Sequence, residues 1–177
     1  MGLNIKITPH LNLQSYARMN SYNRESDFRI AGGLNLPSYE ISQGRYKEMN
    51  YESNLIYKNK FGDISLDAMV GTNKRMEDYS QLYMATAGGL SSPNYFDIAA
   101  SVSRPVTTRD YAKKEINSVY GKVSLGFRDM LFVEGTVRND WSSALPADDN
   151  SFLYPSVSGS FVFSELLKTP AFSDWLS

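Results

Sequence analysis

Three features of the sequence predict an all-β fold, an antiparallel up-and-down meander of about seven strands. Apolar residues recur at every second position in several runs along the 177-residue chain, and this is its dominant periodicity. Val, Ile, Tyr, Phe and Thr crowd these runs, and the i, i+3, i+4, i+7 spacing of a helix does not recur. Short connections alternate with long polar ones along the chain.

The strands are taken in order. Leu3, Ile5 and Ile7 mark the first, the turn Thr8-Pro9-His10 follows, and Leu11 and Leu13 open the second. Tyr51, Ser53, Leu55 and Tyr57, set against Asn50, Glu52, Asn54 and Lys58, mark the third, which runs into a tight connection from Lys58 to Gly62. In the fourth, Ile64, Leu66, Ala68 and Val70 oppose Asp63, Ser65, Asp67 and Met69. The fifth has the strictest pattern: Val119, Gly121, Val123, Leu125 and Phe127 on one side, Tyr120, Lys122, Ser124, Gly126 and Arg128 on the other. Such alternation is what a strand with one apolar and one wet face requires. After the turn Phe127-Arg128-Asp129-Met130, the sixth places Leu131, Val133, Gly135 and Val137 opposite Glu134, Thr136, Arg138 and Asp140, with Phe132 as the exception. In the seventh, Val157, Gly159, Phe161 and Phe163 face away from Ser156, Ser158, Ser160 and Ser164. Only Ser164 to Lys168 offers a helical turn, capped by Ser164 and limited by Pro170.

Composition excludes several classes of function. Lys plus Arg number 18 against 19 Asp plus Glu, without the basic surplus of a nucleic-acid binder. The absence of cysteine removes disulfides, thiolate metal sites and cysteine nucleophiles. Mean hydropathy is −0.37, and no run approaches the roughly 18 apolar residues of a membrane helix. A membrane barrel needs no such run, because only every second residue faces lipid.

The connections point toward that barrel. The polar stretches Arg18 to Arg45, Thr72 to Lys113 and Trp141 to Asn150 read as long loops, all at one end of the meander. Loops beyond about 12–15 residues are uncommon in compact soluble domains. Short turns at one end and long loops at the other are the layout of an outer-membrane barrel. Aromatics suggest two interfacial girdles: Tyr57, Phe61, Phe127, Phe132 and Phe163 near the short turns, and Tyr16, Tyr46, Trp141, Phe152 and Tyr154 near the long loops. A soluble sandwich or lipocalin-like ligand-binding module also alternates, with its apolar face inward, and is the alternative.

Catalytic signatures do not survive inspection. His10 is the sole histidine and lies in a predicted turn. Gly121 and Gly126 have the spacing of a phosphate loop, but Phe127 and Arg128 stand where Lys and Ser/Thr are needed. Asp148-Asp149-Asn150 reads as a solvated turn. Glu134 and Asp140 share a face six residues apart, roughly 20 Å, outside the ~5–9.5 Å of two-carboxylate glycoside hydrolysis. A glycosidase fragment is thereby disfavoured, and neither an enzyme nor a cofactor or metal site is expected.

Ser118 to Glu165 is the most specific stretch. Ser118-Val119-Tyr120-Gly121-Lys122-Val123, then Leu131 to Val137, Arg138-Asn139-Asp140-Trp141-Ser142-Ser143, Tyr154-Pro155-Ser156-Val157-Ser158 and Phe163-Ser164-Glu165 follow in this order. It resembles the mid-barrel signature of the SusC/RagA family of TonB-dependent outer-membrane transporters. Ile7-Thr8-Pro9 and the tail from Leu166-Leu167-Lys168 to Trp175-Leu176 are similar to flanking segments of that family. The resemblance spans about 48 residues closely and most of the chain loosely. One departure stands out: Trp141 occupies a usual glycine position, and glycine reaches backbone angles that Trp does not.

The resemblance implies a TonB-powered importer of glycan oligosaccharides or peptides in the outer membrane of a Gram-negative cell. The family's barrel surrounds a plug and works with a SusD-like surface lipoprotein. Plugged transporters have 22 strands, so seven are about a third of one. Residues 1–177, with no plug, no TonB box and Trp175-Leu176-Ser177 at the end, are expected to form one partial barrel region that pairs with the remaining strands and with outer-membrane lipid. The wall's charges must then point into the lumen, Arg138 and Asp140 among them. Arg138 and Asp140 are candidate substrate-binding residues, and Tyr79, Tyr83, Tyr95, Phe96 and Trp141 are candidates for stacking on substrate. These aromatics serve equally for packing against neighbouring loops or a lid.

Overall fold

The computed structural model describes residues 1–163. Seven strands lie in one sheet in chain order: β1 (Gly2–Lys6), β2 (Leu11–Ile30), β3 (Ser38–Phe61), β4 (Ile64–Leu90), β5 (Ser101–Phe127), β6 (Leu131–Ser142) and β7 (Ser151–Phe161). The all-β meander expected from the alternation is therefore present, and the sheet is open, with β1 and β7 as its edges. The helical turn expected over Ser164 to Lys168 lies outside the described residues.

Short turns join the strands where glycine or side-chain capping allows a reversal. The Thr8 hydroxyl accepts from the His10 and Leu11 amides at 3.2 and 3.0 Å, closing the first. Between β3 and β4, Gly62 adopts φ +60°, the first central position of a hairpin turn. Between β5 and β6, Arg128 and Asp129 take φ of 53° and 55° without the usual Asn-Gly pair. Ion pairs hold these two turns together, Arg128 to Asp63 at 2.9 Å and Lys60 to Asp129 at 3.0 Å.

The chain clusters into two compact units. The first contains Met1–Arg18, Asn50–Arg75 and the chain from Glu115 onward. The second contains Met19–Met49 and Met76–Lys114. Two of the stretches expected as long loops belong to this second unit, and both are mostly strand. Only 31–37 and 91–100 interrupt it, the latter closing with a 3-10 turn at Ile98–Ala100. The third stretch is a true loop from 143 to 150.

The hairpins were hidden by their polarity. Their cross-strand partners are polar and aromatic, as in Gln43 to Glu25 at 2.8 Å, Tyr83 to Glu40 at 2.9 Å and the stacked rings of Tyr22 and Tyr46, 5.2 Å apart. Such pairs stabilise a ribbon with water on both faces, for which apolar alternation is not required.

Burial runs opposite to that of a soluble domain. In the first unit, Val119, Val123, Leu125, Phe127, Leu131, Val133 and Val137 are each 44–48% exposed, whereas Asn54 and Ser118 are buried at 7% and 2%. Register explains the separation. The pairs Val123↔Gly135, Leu125↔Val133 and Gly135↔Val157 put the apolar positions of β5, β6 and β7 on one face. The pairs Ser124↔Glu134, Tyr120↔Arg138 and Thr136↔Ser156 put the polar positions on the other.

Candidate functional site

The polar face of the first unit carries a connected side-chain network. Arg18 on β2 meets Glu52 on β3 at 2.7 Å, and Asn54 donates to the other Glu52 oxygen at 2.7 Å. The Tyr120 hydroxyl on β5 donates to Asn54 Oδ1 at 2.8 Å. Arg138 on β6 lies 5.4 Å from the centre of the Tyr120 ring and donates to Asp140 at 2.8 Å and to Ser118 at 3.0 Å.

Gly71 makes this arrangement possible. Tyr120 crosses β4 over residue 71, and a Cβ there would run into both its ring and Asn54 Oδ1. Glycine inside a strand marks such a close approach. Gly126 repeats the device: Phe132, its direct partner across β5 and β6, fills the space a side chain would occupy. The exceptional Phe132 is therefore an aromatic cover on the polar face.

Below the network, Lys58 pairs with Asp67 at 2.6 Å and Lys122 with Glu134 at 2.7 Å. Four cations (Arg18, Lys58, Lys122, Arg138) thus meet four carboxylates (Glu52, Asp67, Glu134, Asp140). Exposed pairs of this kind contribute about 0–1 kcal/mol each, so exchanging a partner for a passing polar ligand costs little. Glu134 and Asp140 are each held by a cation and do not approach one another as an acid–base pair.

The opposite face has a different logic. Leu55, Ala68, Val70, Gly121, Val123 and Gly135 line a shallow apolar groove of about 560 Å³. Val119 to Phe127 spans nine residues, the length of a tilted membrane strand. Polar contacts bound this stretch at both ends: Lys74 to Glu115 at 2.7 Å and Asn139 to Ser151 at 2.9 Å on one side, the paired short turns on the other.

The structure brings Arg138 and Asp140 together in the network. Trp141, one residue on, belongs to the other face, opposite Asn117 and Ser151. It is an ordinary strand residue and is not among the positive-φ positions of the described chain, so glycine's freedom is not needed there. The aromatic girdles separate in the same way. Tyr57, Phe127 and Trp141 are on the apolar side, while Phe132, Phe152 and Tyr154 turn to the polar side with Ser160, Asp140 and Arg138 as partners. Counting aromatics near strand ends without parity merged two populations.

The remaining candidates belong to the second unit. Tyr79 and Tyr83 are on β4, with Tyr79 donating to Gln81, which donates to Ser42 at 2.9 Å. The Glu40 carboxylate that accepts from Tyr83 raises that phenol's pKa above its usual value. Tyr95 is 57% exposed in the 91–97 connection, and Phe96 lies 5.9 Å from the Arg29 guanidinium. Alternation put Tyr120, Asn54 and Glu52 on polar strand faces but did not single them out as site residues. The usable signal was Gly71, an interior glycine that ends the apolar run Ala68-Met69-Val70.

The sheet and its polar network describe one class of object, a two-faced β wall with one oily and one charged side. Among solved structures the chain is similar to the RagAB peptide transporter, with a TM-score of 0.82 and 17% identity over 95% of this chain and 20% of that one. It is similar to the RagAB peptide importer in its "closed-closed" state, with a TM-score of 0.77 and 17% identity over 95% of this chain and 20% of that one. The "open-open" state matches with a TM-score of 0.80 and 18% identity over 93% of this chain and 19% of that one. The likeness is one of fold, and the chain spans about a fifth of the length of those proteins. No protein-family model and no curated protein matches the sequence.

Proposed function

We propose that this chain is seven consecutive wall strands of a SusC/RagA-type, TonB-dependent importer in the outer membrane, acting in uptake of peptides or glycan oligosaccharides rather than in catalysis. The observation that carries the proposal is the inverted burial of the first unit: half-exposed Val, Leu and Phe on one face, buried Asn54 and Ser118 on the other. A contiguous apolar face of that size in water is an aggregation hazard, and in lipid it is at rest. Paired charges behind it suit a wet lumen. The fold likeness to the RagAB peptide transporter supports the same reading and favours peptides within it.

In that setting β1 and β7 pair with the remaining strands, because lipid supplies no hydrogen bonds to an open edge. A SusD-like lipoprotein works with the whole transporter. TonB energises the whole transporter. The test is uptake: cells lacking the protein should lose accumulation of labelled oligopeptides or oligosaccharides, as should wild-type cells whose inner-membrane proton gradient is collapsed. Undiminished uptake of both ligand classes, with the protein recovered in the soluble fraction, contradicts the proposal.

A further inference from the structure

The four ion pairs on the polar face of the first unit are balanced in charge but not in presentation. Side-chain exposure is 53% for Arg18 against 25% for Glu52, 45% for Arg138 against 24% for Asp140, and 68% for Lys58 against 36% for Asp67. Only Lys122 and Glu134 are nearly even, at 38% and 35%. The cations therefore stand further out than the carboxylates that balance them. A solute approaching this face meets positive charge first, although the pairs sum to zero.

The two arginines are built alike. Arg18 lies over the Tyr16 ring, 4.6 Å from its centre, and donates from Nη1 to Glu52 at 2.7 Å. Arg138 lies over the Tyr120 ring and donates from Nε to Asp140 and from Nη2 to Ser118. Each guanidinium is thus held by a ring and a carboxylate before any ligand arrives, which lowers the ordering cost of binding. Neither is saturated, because a guanidinium has more N–H donors than these contacts use. Arg138 Nη1 makes no hydrogen bond among the described residues, so the terminal Nη1–Nη2 edge is open. That edge is a fork of the shape that takes a carboxylate with two parallel bonds. Glu52 is in the opposite condition, since Arg18 and Asn54 already donate to its two oxygens. Tyr16 and Tyr120 have a ring face covered by guanidinium, which closes that face to stacking on a sugar and favours a peptide as the source of the carboxylate.

We infer that this face selects acidic peptides, with Arg18 and Arg138 taking the carboxylates of Asp and Glu side chains or of the peptide's C-terminus. The inference rests on the transport reading above and names the charge class of its cargo. To test it, the full-length protein in neutral detergent is offered one labelled oligopeptide in three forms, with glutamates at alternate positions, with glutamines in their place, or with lysines. Binding is read by fluorescence anisotropy, with an oligouronate of matching charge as a competitor. The glutamate form should bind at least about ten-fold tighter than the glutamine form, and salt at ~1 M should shrink that margin. The Arg18→Gln/Arg138→Gln double variant leaves Glu52 and Asp140 without their cations, so the margin should vanish or reverse toward the lysine form. Arg138→Lys keeps the charge without the fork and should retain a reduced margin. Each variant is scored on protein whose heat-dependent gel mobility shows it folded, and Arg138→Gln alone should already narrow the margin. Equal binding of the three forms, an undiminished margin in the variants lacking arginine charge, or displacement by the oligouronate at lower concentration than by the glutamate peptide overturns the inference. Failure of the transport reading shows separately, as cells that lack the protein yet accumulate all three peptides as wild-type cells do.

Discussion

At the scale of single residues, glycines decide where the polar face closes. Replacing Gly71 with Ala places a methyl group against the Tyr120 ring and buried Asn54, and overpacking of this kind costs about 1–3 kcal/mol. Gly135 is the control: a Cβ there meets nothing within 4 Å, so Gly135→Ala should leave stability unchanged or raise it by about 0.4–1 kcal/mol. Tyr120→Phe keeps the ring over Gly71 but withdraws the hydroxyl from Asn54, which is 7% exposed. An unsatisfied buried acceptor costs about 1–3 kcal/mol. Denaturant midpoints of the three variants check the order: Gly71→Ala and Tyr120→Phe below wild type, Gly135→Ala at or above it. Arg138 and Asp140 were legible in the sequence because they lie on a strictly alternating strand. Tyr120 was not, because its partners Asn54 and Gly71 come from two other strands and no local pattern joins them.

At the scale of elements, a strand's two faces should answer the same substitution differently. Val123 and Gly135 pair across β5 and β6 on the apolar face, while Lys122 and Thr136 pair on the polar one. Arginine at an outward barrel position costs about 2–4 kcal/mol near the midplane, so Val123→Arg should lower folding stability in lipid by that amount. Thr136→Arg should cost less than about 1 kcal/mol, because its side chain meets water and the Glu134 side of the wall. Urea titration in lipid vesicles reads both. Apolar alternation made the spans of β4 to β7 legible, since one face of each is apolar. It missed the outer parts of β2 to β5, where residues such as Asn20, Gln43 and Lys113 pair in water and the ladder of backbone hydrogen bonds needs no apolar face. Strands of 20–27 residues exceed the roughly 3–10 usual in globular proteins, and their extra length is polar.

At the scale of the molecule, the proposed function requires that the oily face of the first unit meet lipid. The inverted burial is what such a face requires. Hydropathy alone concealed this, because the mean of −0.37 averages an apolar face, a charged face and polar hairpins. The most direct measurement uses the absence of cysteine from residues 1–177, which leaves an introduced thiol without a competitor in these strands. Single cysteines at 119, 123, 133, 137 and 157, and at 122, 124, 134, 136 and 158, would carry a fluorophore in the membrane-embedded protein, with quencher-bearing lipids added. Strong quenching is expected at the first set and little at the second, with period two along β5 and β6. Equal quenching of both sets, or none at either, would contradict the proposed function.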